Sequence, residues 1–131
     1  MTSIVLDAGA LIALDRNDRS TWALLRVAAD DERTVLVPAA VIAQAWRDGR
    51  RQVLLARALT HCSEVPLDGH VARAAGILCA TAHTADVIDA TVALAAAGAA
   101  RHGNVAIVTS DPDDLRHLVA TVGFPATIIT S

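Results

Sequence analysis

Lysine is absent from this 131-residue chain, and all eleven basic residues are arginine. That omission excludes mechanisms that need an amine: a P-loop lysine, a Schiff base, or the lysine of a phospho-acceptor receiver domain. Cysteine is scarce. Cys62 and Cys79 have neither CxxC nor Cys/His ligand spacing, so they read as buried free thiols and not as a disulfide or a zinc site. No apolar run reaches the roughly eighteen residues of a membrane span. The first apolar stretch is interrupted by Asp7 and lacks the basic region and cleavage site of a secretory signal, so a soluble, cytoplasmic protein with no membrane partner is expected. An excess of positive charge is also missing. Eleven basic against fourteen acidic residues leave a net charge of -3, which argues against a general nucleic-acid coat protein. A polyanionic substrate would have to be held locally.

With 53% hydrophobic residues, the chain has enough apolar content for one compact domain spanning residues 1–131, with no linker, repeat or disordered segment. SIVL reads as a short strand running into a helix at Asp7, and a second amphipathic helix covers about Ser20 to Ala29. TVLVP reads as a buried strand. Pro38 suits the first turn of a helix, PAAVIAQAWR, and RQVLLARAL makes another. CSEVPL is a short strand candidate, followed by a helix capped by Asp68. Thr84 or Asp86 caps an alanine-rich helix ending near Gly103. NVAIVTS is a strong buried strand, DPDDLRHLVATVG a helix with Pro112 at its start and Gly123 past its end, and ATIIT a last strand. Strands alternating with helices predict an α/β fold around a parallel sheet.

Acidic residues fall where those segments turn: Asp7, then Asp86 with Asp89, then Asp111, Asp113 and Asp114. Asp7 and Asp111 follow strands, which places both at the carboxyl edge of a parallel sheet, where ligands bind near the reversal of strand order. Asp86 and Asp89 share one face at a helix start. Two carboxylates about 4 Å apart repel by roughly 4 kcal/mol at an effective dielectric near 20, so their convergence calls for a hard divalent cation. Simpler roles stand beside this one. Asp7 also suits a helix N-cap, Asp86 a helix-terminal charge, and any of Asp111, Asp113 and Asp114 would complement a helix start.

Four segments, IVLDAGALIAL, VPAAVIAQAWR, DVIDATVALAA and VAIVTSDPDDL, resemble in order and spacing the PIN-domain nucleases, and within them the VapC-type toxins of bacterial toxin-antitoxin pairs. The resemblance implies a PIN-like three-layer sandwich with a central parallel sheet flanked by helices. It implies an acidic pocket binding Mg²⁺ or Mn²⁺, with Asp7, Asp89 and Asp111 at the first, third and fourth acidic positions and Asp86 and Asp114 as further candidate ligands. At the second position the family usually carries Glu, and here stands Gln44. An amide lends a carbonyl oxygen but no negative charge. The implied activity is endoribonucleolytic cleavage of RNA phosphodiesters by metal-activated water, with Asp7, Asp89, Asp111 and Gln44 as the catalytic set. The alternative is a weakened or inactive PIN-like module that binds RNA or antitoxin without cutting.

Arg47, Arg50 and Arg51 could contact phosphates, and Trp46 could stack a base, or the four could form a solvated face with a core tryptophan. His83 is either a substrate contact or a surface histidine, and Thr109 and Ser110 suit orientation of a ligating carboxylate. The resemblance further implies a small cognate VapB-type antitoxin and a homodimer, with ALIAL and WALLRVA as interface candidates that would serve a core equally well.

Overall fold

A computed structural model describes residues 2–131. Five short strands, β1 (Ser3–Leu6), β2 (Val35–Pro38), β3 (Ser63–Val65), β4 (Val105–Thr109) and β5 (Thr127–Thr130), form one sheet in the order β3-β2-β1-β4-β5. Every neighbouring pair is parallel. Seven helices flank it: α1 (Ala8–Asp15), α2 (Arg19–Asp30), α3 (Ala39–Ala45), α4 (Val53–Leu59), α5 (Gly69–Ala82), α6 (Val87–Ala100) and α7 (Pro112–Val122). All five residues of β4 are buried, so both faces of the sheet are covered at its centre. This is the expected α/β sandwich.

Local chemistry explains most boundaries. Asp7, Asp18, Asp68 and Asp86 each accept a backbone N–H from the first turn of α1, α2, α5 and α6, a cap whose loss costs about 1 kcal/mol. Gly123, at φ 89°, supplies the left-handed turn that ends α7. Three details depart from the sequence reading. Pro38 closes β2 and precedes α3 instead of lying inside it, α3 stops at Ala45, and α6 stops at Ala100, short of Gly103.

The main core joins Val5, Leu6, Leu11, Leu14, Leu55 and Ile107, all buried. A second cluster, including Ala75, Cys79, Ala82, Ala90, Ala93 and Leu118, packs α5, α6 and α7 together, and its small side chains permit the close approach. Both cysteines are free; Cys79 is buried and Cys62 half-buried. Burial, with the charge of Glu64 adding to it, pushes the Cys62 thiol up to about 11, so it is an inert packing group. Among the described residues no single helix is long and apolar enough to cross a membrane.

The sheet order decides where the site falls. From β1 the chain crosses to β2 and β3 on one side, then returns past β1 to β4 and β5 on the other. The carboxyl ends of β1 and β4 are therefore adjacent, with Leu6 beside Val108 in register, at the point where strand order reverses.

Candidate metal centre

Asp7 follows β1 directly and is 3% exposed. Its Oδ1 accepts the Ala10 N–H at 2.9 Å, which caps α1, and its Oδ2 accepts the Ser110 N–H at 3.2 Å across the β1–β4 junction. Capping and a place in the site thus coexist in one carboxylate. Burial raises its pKa, while the hydroxyl of Thr109 and the two backbone donors pull in the opposite direction.

Thr109 is fully buried at the end of β4. Its Oγ1 accepts the Asp111 N–H at 2.8 Å and its hydroxyl also hydrogen-bonds Asp7, so one side chain ties the two acidic loops together. Gly9 permits the same approach from the other side. A Cβ on Gly9 would overlap the side chain of Ser110, so α1 and the loop after β4 touch only because residue 9 has no side chain.

Asp89 comes from the first turn of α6, held there by Asp86, whose Oδ1 accepts the Asp89 N–H at 2.9 Å. Asp89 is 6% exposed, and its Oδ2 is buried with no hydrogen-bond partner. An orphaned carboxylate oxygen of this kind is costly. Burial, then the neighbouring Asp86, Asp111 and Asp7, push its pKa up to about 7.

One oxygen from each of Asp7, Asp89 and Asp111 lies within 4.8 Å of the others. Three carboxylates from three separate segments, one with an unanswered buried oxygen and two with raised pKa values, form a donor set that fits a hard divalent cation. The exposed Asp111 leaves the cluster open to solvent on one side.

No family model matches the sequence, and no curated protein matches it. Solved structures do match the fold. VapBC2 from Rickettsia felis, bound to a DNA fragment from its promoter, superposes with a TM-score of 0.67 at 14% identity over 100% of this chain and 99% of its own. FitAB, bound to an IR36 DNA fragment, superposes with a TM-score of 0.62 at 16% identity over 97% of this chain and 94% of its own. The chain has a PIN-domain fold.

Within the PIN fold, the other residues singled out from the sequence have distinct places. Gln44 is exposed on α3, and among the described residues no hydrogen bond links it to the three aspartates. Arg47, Arg50 and Arg51 are exposed in the loop between α3 and α4, and no ion pair joins them to the aspartates. The Arg47 guanidinium folds back to donate to the carbonyls of Ala43 and Trp46. Trp46 is 37% exposed and lies against Gly49, where a Cβ would come within 2.8 Å of its ring. Gln52 organises this loop: its Oε1 accepts the N–H groups of Arg47 and Asp48, and its amide donates to the Ala45 carbonyl. Asp113 pairs with Arg116 at 3.1 Å on the surface. Asp114 and His83 instead line a groove beside Asp89, together with His117. Of ALIAL and WALLRVA, residues Leu11, Leu14 and Leu25 enter the core, while Ile12 and Val27 remain exposed.

Sequence reasoning missed Gly9, Gln52 and His117. Gly9 had a signal, since glycine in a helix costs about 1 kcal/mol relative to alanine and so asks for a packing reason. Nothing in the sequence marks Gln52 or His117, whose roles depend on what faces them across the fold.

Proposed function

We propose that the protein is a metal-dependent endoribonuclease of the VapC kind, acting on cytoplasmic RNA as the toxin of a toxin-antitoxin pair. The observation that carries this reading is the convergence of Asp7, Asp89 and Asp111 with the unpartnered Oδ2 of Asp89 among them. Mg²⁺ or Mn²⁺ is the fitting cofactor, because hard cations take oxygen ligands and Mg²⁺ uses one or two carboxylates plus substrate phosphates. When bound, such a cation acidifies water and neutralises the scissile phosphodiester. The chain's own part is placement. Thr109, the N–H of Ser110 and the α1 cap hold the Asp7 carboxylate, and the Asp86 cap holds the turn carrying Asp89. Asp89, whose pKa burial and the neighbouring aspartates raise, would hold the cation in its ionised form. The open side at Asp111 is the approach for the phosphate, with Arg50 and Arg51 as phosphate contacts further along the strand.

An antitoxin partner follows from the same reading, since the structurally similar VapBC2 and FitAB are toxin-antitoxin complexes. A groove of about 670 Å³ between α2 and α4 supports it: Trp22, Leu25 and Leu54 contribute apolar surface, and Arg19, Arg26 and Arg57 contribute positive charge. A homodimer belongs to the same proposal.

Structured RNA incubated with the protein in Mg²⁺, in Mn²⁺ and in EDTA tests the activity. Cleavage in either metal, lost in EDTA and in Asp7→Asn, supports the nuclease. RNA binding without cleavage at any metal level identifies instead a noncatalytic module, the outcome that Gln44 at the second acidic position would favour.

A further inference from the structure

Beside the three aspartates, the turn between α5 and α6 and the first turns of α7 enclose a groove of about 200 Å³. Its floor is apolar, with Ala82 and Leu118. Asp89 belongs both to this groove and to the triad, so the groove adjoins the candidate metal centre. Asp86, Asp114, His83 and His117 supply the rest of the wall that matters here.

Besides the Thr84 hydroxyl and the two imidazoles, the polar groups of that wall are carboxylates, which when ionised only accept. Among the described residues no hydrogen bond or ion pair engages the Asp114 carboxylate, and the Asp86 carboxylate engages Asp89 alone, capping α6 through Oδ1. His117 Nε2 lies 2.7 Å from the Ala82 carbonyl. A carbonyl only accepts, so Nε2 carries the hydrogen. His83, in a left-handed conformation with φ 57° at the end of α5, is exposed and lines the groove, so its imidazole is available for stacking.

We infer that this groove is a subsite for the base next to the scissile phosphate and that it selects guanine; the inference rests on the nuclease reading above. Single-stranded RNA bases are bound by stacking on aromatic rings, histidine included, and by hydrogen bonds on their Watson–Crick edges. Guanine alone presents two adjacent donors there, N1–H and the 2-amino group, matching the two oxygens of one carboxylate. Adenine and cytosine set a ring acceptor beside their single amino donor, and uracil flanks its N–H with two carbonyls. Each of the three turns a lone pair toward an acceptor wall. The guanidinium of a protein partner would satisfy the same carboxylates, but it has no need of a volume the size of a base.

The test is titration of the intact protein, followed by NMR, with the 5′-monophosphates of guanosine, inosine, adenosine, cytidine and uridine in Mg²⁺. Guanosine monophosphate is expected to shift the resonances of His83, Asp114 and His117 and to bind roughly ten-fold tighter than the other four, the scale of one good bidentate base contact. Inosine lacks the 2-amino group and should lose that advantage. Asp114→Asn should abolish the preference without unfolding an exposed helix turn. Equal affinity for all five nucleotides overturns the subsite, as does an arginine-containing peptide that shifts the groove when no nucleotide does, since the groove then serves a protein. The readout needs no turnover. Guanine selectivity in a protein that cuts no RNA would sink the nuclease and leave the subsite, whereas RNA cleavage without base preference would do the reverse.

Discussion

The carboxylate of Asp86 accepts the backbone N–H of Asp89 at 2.9 Å, so the residue that fixes the first turn of α6 also sets a like charge beside a carboxylate with a buried, unpartnered oxygen. The two effects oppose each other. Capping stabilises the turn, and the negative charge helps hold the Asp89 pKa up at about 7.

A pH dependence of stability follows. Between the ordinary aspartate value of 3.8 and about 7, the folded chain retains a proton on Asp89 that the unfolded chain has released. Stability from this group is therefore fully present below pH 4 and is lost as pH rises through 7. In chemical denaturation without divalent metal, the Asp89 contribution should make the wild type lose more stability between pH 5 and pH 8 than Asp89→Asn does. A wild type and variant with parallel pH profiles would refute the assignment.

Metal should reverse that loss. Mg²⁺ or Mn²⁺ binds the ionised carboxylates of the folded chain, so millimolar metal should raise the unfolding midpoint more at pH 8 than at pH 5. Calorimetry at pH 6.5 in buffers of different ionisation enthalpy should also detect proton release on binding. Asp7→Asn should lower metal affinity at least ten-fold, because it removes one of three charges and sets an amide against the Ser110 N–H. Unchanged metal affinity in that variant would remove Asp7 from the site.

Gly9 and Ser110 offer a steric test. Gly9→Ala introduces a Cβ into the space occupied by the Ser110 side chain, and overpacking of this kind costs about 1–3 kcal/mol. Denaturation midpoints and metal titrations should both fall. Ser110→Gly, nearly silent alone, should restore both in the double variant, and failure of that rescue would mean that the clash is relieved elsewhere.

Gln44→Glu restores the acidic residue that the family resemblance expects in the helix after β2. Tighter metal binding or faster RNA cleavage is the expected result, read by titration with Mn²⁺ and by gel assay. If both are unchanged, the exposed side chain on α3 takes no part in the site.

Arg50→Ala combined with Arg51→Ala should weaken RNA binding and flatten its dependence on salt, by about 0.7 in the log-log slope for each phosphate of a single strand that is no longer neutralised. Arg47→Ala should do less to the slope, since its guanidinium is turned back onto two carbonyls. An unaltered slope in the double variant would mark these arginines as ordinary solvated surface.

Much of the fold was legible because its signals are local. The apolar run VAIVT becomes the fully buried β4, and Asp7, Asp68 and Asp86 cap the helices that their positions announced. Asp7, Asp89 and Asp111 were also visible, as aspartates at the ends of apolar segments. What the sequence concealed is reciprocal: the Ser110 side chain over Gly9, the Thr109 hydroxyl shared between Asp7 and Asp111, and His117 turned to the Ala82 carbonyl. Each depends on partners 35, 101 or 102 residues apart in chain order, and on the register of β1 against β4, which no short window of residues encodes.

The pairing of β1 with β4 also sets a clock during synthesis. On the ribosome, the first strand waits beside β2 with its other edge open until some hundred further residues have been translated. Only after Val105–Thr109 and the loop beyond it emerge can Asp111 meet Asp7. A product truncated before β4 therefore carries no assembled acidic centre, and a cell making this protein meets that centre only once Asp111 has been translated.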